Sequence, residues 1–185
     1  MKKKDRIWIY PVAMVVLLVI ALNSCNDPST PIDEPKLGGS YQGGIVFYLD
    51  ATGKHGLLAA TIDQSATDPW FNLSFVATGS TSTTNGSANT TAIIQAQGNS
   101  GLYAAKLCRD YKGGGFNDWF LPSKDQLNSL YLQKDLVGGF SNSTYWSSSE
   151  YDVGEAWVQY FLDGEQHLDN TSDGANVHTR AIRAF

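Results

Sequence analysis

An unbroken apolar run of 11 residues, Val12 to Leu22, does most to limit what this chain can fold into. The basic residues Lys2, Lys3, Lys4 and Arg6 precede it, and Asn23-Ser24-Cys25 follows at once. A positive start, an apolar centre and a small residue before a cleavage point make the layout of an export signal. The run is short for a bilayer span, which takes about 20 residues. Residues 1–24 are therefore expected to leave the mature chain, and whatever builds a core lies after Cys25. The competing reading is an uncleaved N-terminal anchor helix.

Leu22 and Ser24 before Cys25 resemble a lipobox, the motif cut by lipoprotein signal peptidase. The resemblance implies a diacylglyceryl group on Cys25 and a membrane partner held through lipid, since two or more acyl chains anchor stably. An outer-membrane lipoprotein facing outward is expected. The periplasmic face or the inner membrane is the alternative, because Asp27 is a retention signal in some bacteria. Asn26 to Lys36 has three prolines, three acidic residues and no apolar period, so it reads as an extended tether. The expected organisation is a signal over 1–24, a lipidated cysteine and tether over 25–42, and one binding domain over 43–185.

Without the signal, 9 basic and 17 acidic residues remain, a net charge of −8. Nucleic acid, which needs a basic footprint, is excluded as a partner. With Cys25 lipidated, Cys108 is the only thiol left, so no intramolecular disulfide forms and a hydrophobic core must hold the domain.

Gly43 to Leu49 reads as a buried strand, with Leu57 to Ala60 as its hairpin partner. Residues 61–100 are rich in Ser, Thr, Asn and Gly, with a short helix over Ala92 to Gln97. A helix over Gly101 to Tyr111 carries Leu102, Ala105 and Cys108 on its apolar side. A second, over Ser123 to Lys134, opens with the capping box Ser123/Gln126 and carries Leu127, Leu130 and Tyr131. The triple glycine Gly113-Gly114-Gly115 reads as a helix C-cap and a sharp turn. Strands are expected over Thr144 to Ser149, Ala156 to Leu162 and His178 to Phe185.

The search for chemistry returns mostly negatives. His55, His167 and His178 have no metal-ligand spacing. Ser147-Ser148-Ser149 lacks a nucleophile elbow and reads as a polar strand. Cys108 reads as a buried structural thiol. No cofactor is expected. Asp152, Glu155, Asp163, Glu165, Asp169 and Asp173, near Asn170 and Asn176, are oxygen donors that calcium accepts, but without EF-hand spacing, and solvated loops explain them equally well.

Five phrases carry a resemblance in their order: Gly43-Gly44-Ile45-Val46-Phe47-Tyr48, Asp118-Trp119-Phe120-Leu121-Pro122-Ser123, Tyr145-Trp146-Ser147-Ser148-Ser149-Glu150, Ala156-Trp157-Val158 and Arg180-Ala181-Ile182-Arg183. They resemble the C-terminal domain of the Legionella collagen-like adhesin and the Fibrobacter major paralogous domain. This implies an α+β, C-type-lectin-like fold: two helices on a small twisted antiparallel sheet with long loops. The ending is also similar to retroelement-diversified lectin-fold lipoproteins, in Trp146 to Tyr151, Ala156-Trp157, Phe161, Gly164 and Arg180 to Phe185. The expected function is binding of an extracellular protein or glycan, without enzymatic activity. The contact residues would be Tyr145, Tyr151, Asp152, Glu155, Gln159, Tyr160, Gln166, His167, Asp169, Asn170, Asp173, Asn176 and His178. Arg180 and Arg183 are expected to pair with carboxylates or carbonyls as part of the frame. The alternatives are a structural envelope or fimbrial component and, less favoured, an enzyme like the formylglycine-generating oxidases, which share the broad fold but use a cysteine pair.

Overall fold

The computed structural model describes residues 34–72, 74–172 and 174–185. The expected export signal, the expected lipidation at Cys25 and the expected tether up to residue 33, together with Asp173, lie outside the described residues. The fold is mixed α+β. Two four-stranded sheets and four α-helices are present among the described residues, where the resemblance implies one small sheet and two helices. No helix among those residues is long and apolar enough to cross a membrane.

The first sheet has the order β1-β2-β3-β8: β1 (Ser40–Tyr41), β2 (Gly44–Leu49), β3 (Gly56–Ala59) and β8 (Ile182–Ala184), all antiparallel. The β2–β3 hairpin matches the expectation from the apolar runs. Its turn is held by Asp50, whose Oδ1 accepts from the backbone N–H (3.0 Å) and hydroxyl (2.7 Å) of Thr52. These bonds hold the Asp50 carboxyl below its ordinary pKa.

The second sheet has the order β6-β5-β4-β7: β4 (Thr144–Glu150), β5 (Glu155–Tyr160), β6 (Gln166–Asn170) and β7 (Val177–His178), with only β4 and β7 parallel. The expected single strand from His178 to Phe185 is in fact divided. β7 ends at His178, and β8 begins at Ile182 in the other sheet. The residues between, Thr179 to Ala181, cross from one sheet to the other. Thr179 bridges Ser65, and the buried Arg180 guanidinium takes up the crossing.

Four helices surround the sheets. The first, α1 (Gly86–Gln97), is twice the expected length. Asn85 caps it, its side chain accepting from Ala88 N–H at 3.0 Å. α2 (Ala104–Asp110) starts later than expected and leaves Leu102 66 % exposed, so Leu102 is no part of a buried stripe. α3 (Lys124–Leu132) begins at Ser123, where Gln126 Oε1 accepts from Ser123 N–H at 3.0 Å. The same oxygen accepts from Gly86 N–H at 3.0 Å, which ties the starts of α1 and α3 together. The short α4 (Lys134–Val137) follows.

Two cores result. One joins Ile93 of α1 and Ala104, Ala105 and Cys108 of α2 to Val46, Leu58, Trp70, Trp119, Trp146 and Val158. The other sets Leu127 and Leu130 of α3 against Phe47, Tyr145, Phe161 and Ile182. Each such apolar side chain contributes about 1.5–3 kcal/mol when fully buried. The triple glycine does not cap α2, whose C-cap is Tyr111. Gly113–Gly115 forms a 3₁₀ turn pressed on the chain before β2, where a Cβ on Gly43 would lie 2.2 Å from Gly114 N. Two backbones approach here too closely for side chains.

Residues 61–100, polar and with only a short helix expected among them, are pinned at several points. Trp70 Nε1 donates to Ser147 O (2.7 Å) and Trp70 N–H to Thr171 O (3.1 Å). The buried Glu150 carboxylate accepts from Thr78 N–H (2.9 Å) and Gly79 N–H (2.9 Å). Long polar stretches in compact domains are ordered by such side chain–backbone bonds, so that buried backbone groups find partners.

Candidate functional site

Cross-strand register places side chains on faces, because directly opposed residues in an antiparallel pair point the same way. In β5 and β6, Glu155 opposes Asn170, Trp157 opposes Leu168 and Gln159 opposes Gln166. These six share the face on which α3 packs. At the turn end the face is closed. Gln159 Nε2 donates to Asn128 Oδ1 (2.9 Å) and Gly164 O (3.0 Å), and Gln166 Nε2 donates to Lys124 O (3.1 Å).

At the other end the face is open. Trp157 is half-buried and Tyr151 is 58 % exposed, and their rings meet edge to face at 6.2 Å between centroids. Lys124 Nζ stands 3.2 Å above the Trp157 ring. Among the described residues no carboxylate pairs with that ammonium. Glu155 and Asn170 border the platform. Lys124 therefore caps one face of the Trp157 ring, and what this end of the sheet leaves open is the exposed Tyr151 ring beside that ammonium.

The remaining expected contact residues are dispersed. Asp152 Oδ1 accepts from Gly154 N–H (2.8 Å) and Glu155 N–H (2.9 Å), which shapes the turn that presents Tyr151. Asn170 Oδ1 accepts from Ser172 N–H (2.9 Å) and its hydroxyl (2.7 Å). His167, Asp169 and the half-buried Tyr160 lie on the opposite face of the sheet, opposed to or in phase with Val158 and Ala156. Asn176 is exposed at φ +64°, and its carbonyl accepts from Ser143 Oγ (2.7 Å).

Three of the expected contacts belong to the interior instead. Tyr145 is fully buried and its hydroxyl donates to Asp63 Oδ2 at 2.9 Å; burial pushes its pKa well up. Gln159 is fully buried in the network with α3. His178 Nδ1 lies 2.8 Å from Asp63 Oδ2, with its ring against Tyr145. Asp63 thus gathers Tyr145, His178 and Arg180, whose Nε donates to Oδ1 at 2.5 Å. Arg180 also donates to Ala60 O (2.8 Å) and Gly139 O (2.5 Å), and Arg183 pairs with Asp118 and donates to Gln42 Oε1 (2.7 Å). Both arginines serve the frame, as their sequence context suggested.

Trp157, Lys124 and Leu168 were missing from the expected contacts. Trp157 has the strand parity of Glu155 and Gln159, and that signal was present in the sequence. Lys124 reaches the site only through the packing of α3, which sequence spacing does not encode. Among the described residues no three His, Cys, Asp or Glu side chains are placed to hold a metal ion. The serine run is buried strand, with Ser149 Oγ donating to Ser82 O (2.7 Å) and accepting from Lys124 N–H (2.9 Å).

Cys108 is fully enclosed, and burial raises its thiol pKa well above the ordinary value. The thiolate is the reactive form. Alkylation mapped by mass spectrometry is expected to leave Cys108 unmodified in the native protein and to modify it fully in urea. Rapid native labelling would show an opening at α2 that the packing does not provide. Comparison with family models and with characterised proteins finds no match to this chain.

Proposed function

We propose that this chain is an outer-membrane lipoprotein that displays a C-type-lectin-like domain outward and binds an extracellular protein or glycan. The observation that carries the reading is the open end of the β5–β6 face, where Tyr151, Trp157 and Lys124 form a platform on a rigid sheet. Interface anchors are typically such aromatic side chains, held in place by neighbours that exclude water. The antiparallel β4–β5–β6 unit, helices packed on its flank and the long pinned segment before α1 support the lectin-like reading. Tyr151, Glu155 and Asn170 lie around the platform, and none fills either core. Their identities can change without deciding the fold, as a diversified binding face requires.

The test is protease shaving of intact cells that express the full chain. Loss of the domain from intact cells is the expected result. A domain digested only after the outer membrane is permeabilised overturns outward display.

A further inference from the structure

Most edges of the two sheets are short or covered. β1 has two residues, and β8 has three and is bridged on its outer side by Phe120–Ile182. β7 has two residues, and the chain after it bridges Ser65 through Thr179. β6 is different: it has five residues, lies at the end of its sheet, and pairs only with β5 among the described residues. Tyr160 N–H donates to Glu165 O (2.9 Å) and Thr171 N–H to Gly154 O (2.9 Å). The alternation of an antiparallel ladder then turns the backbone groups of His167 and Asp169 toward β5 and those of Gln166, Leu168 and Asn170 toward the open edge. Edge strands are normally blunted by Lys, Pro or a bulge. β6 contains neither residue, and its register with β5 is unbroken.

We propose that β6 pairs antiparallel with β6 of a second copy of this chain, about a two-fold axis at Leu168. The segment Gln166-His167-Leu168-Asp169-Asn170 is complementary to itself when reversed. Leu168 meets the partner's Leu168, His167 meets the partner's Asp169 on both sides of the axis, and Gln166 meets the partner's Asn170. The His–Asp positions are non-hydrogen-bonded pairs, where side chains approach most closely. Asp169 Oδ1 now accepts from Asn170 N–H at 2.8 Å. Pairing hands that N–H to the partner's Gln166 carbonyl and frees the carboxylate for the partner's His167.

The charge pattern also selects the register. Matching edge-facing groups allows shifts of the axis only by whole residues. An axis at 167 sets His167 against itself and Glu165 against Asp169. An axis at 169 sets Asp169 against itself. Of these three axes only the one at Leu168 avoids like-charge pairs, and it alone keeps all five residues of β6 paired, so charge and strand length together favour one partner arrangement. The contact is isologous, so it closes at two copies. This pairing holds whatever the platform binds.

The full chain in detergent is followed by sedimentation over a concentration series, beside membranes that carry H167C and D169C chains of different tag lengths. A reversible dimer is expected, with mixed H167C–D169C disulfides exceeding either like pair on oxidation. H167D is expected to weaken association about tenfold, since it sets a carboxylate against the partner's Asp169 on both sides of the axis. H167D/D169H is expected to restore it, with melting curves unchanged. A chain that stays monomeric, a dimer that survives H167D, or one that the charge exchange fails to restore overturns the proposal. So does capture of a foreign strand on β6 by a monomeric chain.

Discussion

Asp63→Ala is expected to lower the unfolding free energy by about 3–5 kcal/mol, the cost of leaving a buried charge without its partner. The Asp63 side chain is 17 % exposed, whereas that of Arg180 is wholly buried. The guanidinium would retain Ala60 O, Gly139 O and the Phe140 ring, 4.1 Å from its centre, but no anion. Those neutral partners place the loss nearer 3 kcal/mol. The same substitution takes away the acceptor of the Tyr145 hydroxyl, which keeps only the Ser141 N–H, and releases His178 where the crossing leaves β7. Equilibrium urea unfolding measures the effect. The double variant D63A/R180M should cost less than the sum of its single variants by at least about 1 kcal/mol, because it removes the stranded charge. A D63A protein within 1 kcal/mol of the parent would show that Arg180 reaches water, and the Asp63 hub would lose its structural role.

That hub also explains what the sequence could and could not tell. The β2–β3 hairpin, α3 with its capping residues and the buried Cys108 were legible, because each depends on a local pattern; the framing arginines were read instead from the phrase that carries the family resemblance, their partners Asp63 and Asp118 lying 117 and 65 residues away. Apolar run, cap spacing and helix side are written within a dozen residues. Tyr145 was misread as a ligand anchor because its partner Asp63 lies 82 residues away. A tyrosine on a strand gives no sign of whether its hydroxyl meets water or a buried carboxylate. Gln159 failed for the same reason, since Asn128 comes from α3. β6 was missed because Gln-His-Leu-Asp-Asn has no apolar alternation. It is a strand through its pairing with β5, and tertiary context sets strand formation more than intrinsic preference. The start of α1 was hidden by Gly86, Ser87, Asn89, Thr90 and Thr91, weak helix formers that packing overrides. Asn85 was its one readable signal.

The five tryptophans of the sequence offer a sharper division between frame and surface. Trp146→Ala is expected to cost about 3–5 kcal/mol, as large-to-small changes of buried aromatics do. Trp146 is fully buried, opposes Val158 across the β4–β5 pair, and donates its indole N–H to Asp68 O at 3.2 Å. Removing it opens a cavity in the first core and leaves that carbonyl short of a donor. Trp157→Ala, two residues into the neighbouring strand, is expected to cost only about 1 kcal/mol, chiefly the stacking of Lys124 on a partly exposed ring. Both variants are measured by urea unfolding, with circular dichroism confirming the native state. The contrast separates two meanings of the same residue type on one sheet. If W157A proves as destabilising as W146A, Trp157 is core and the platform is no binding surface. If the contrast holds, the sheet tolerates change at the open end of this face while the first core behind it fixes the fold, and this is the physical condition for a recognition surface carried on β5 and β6.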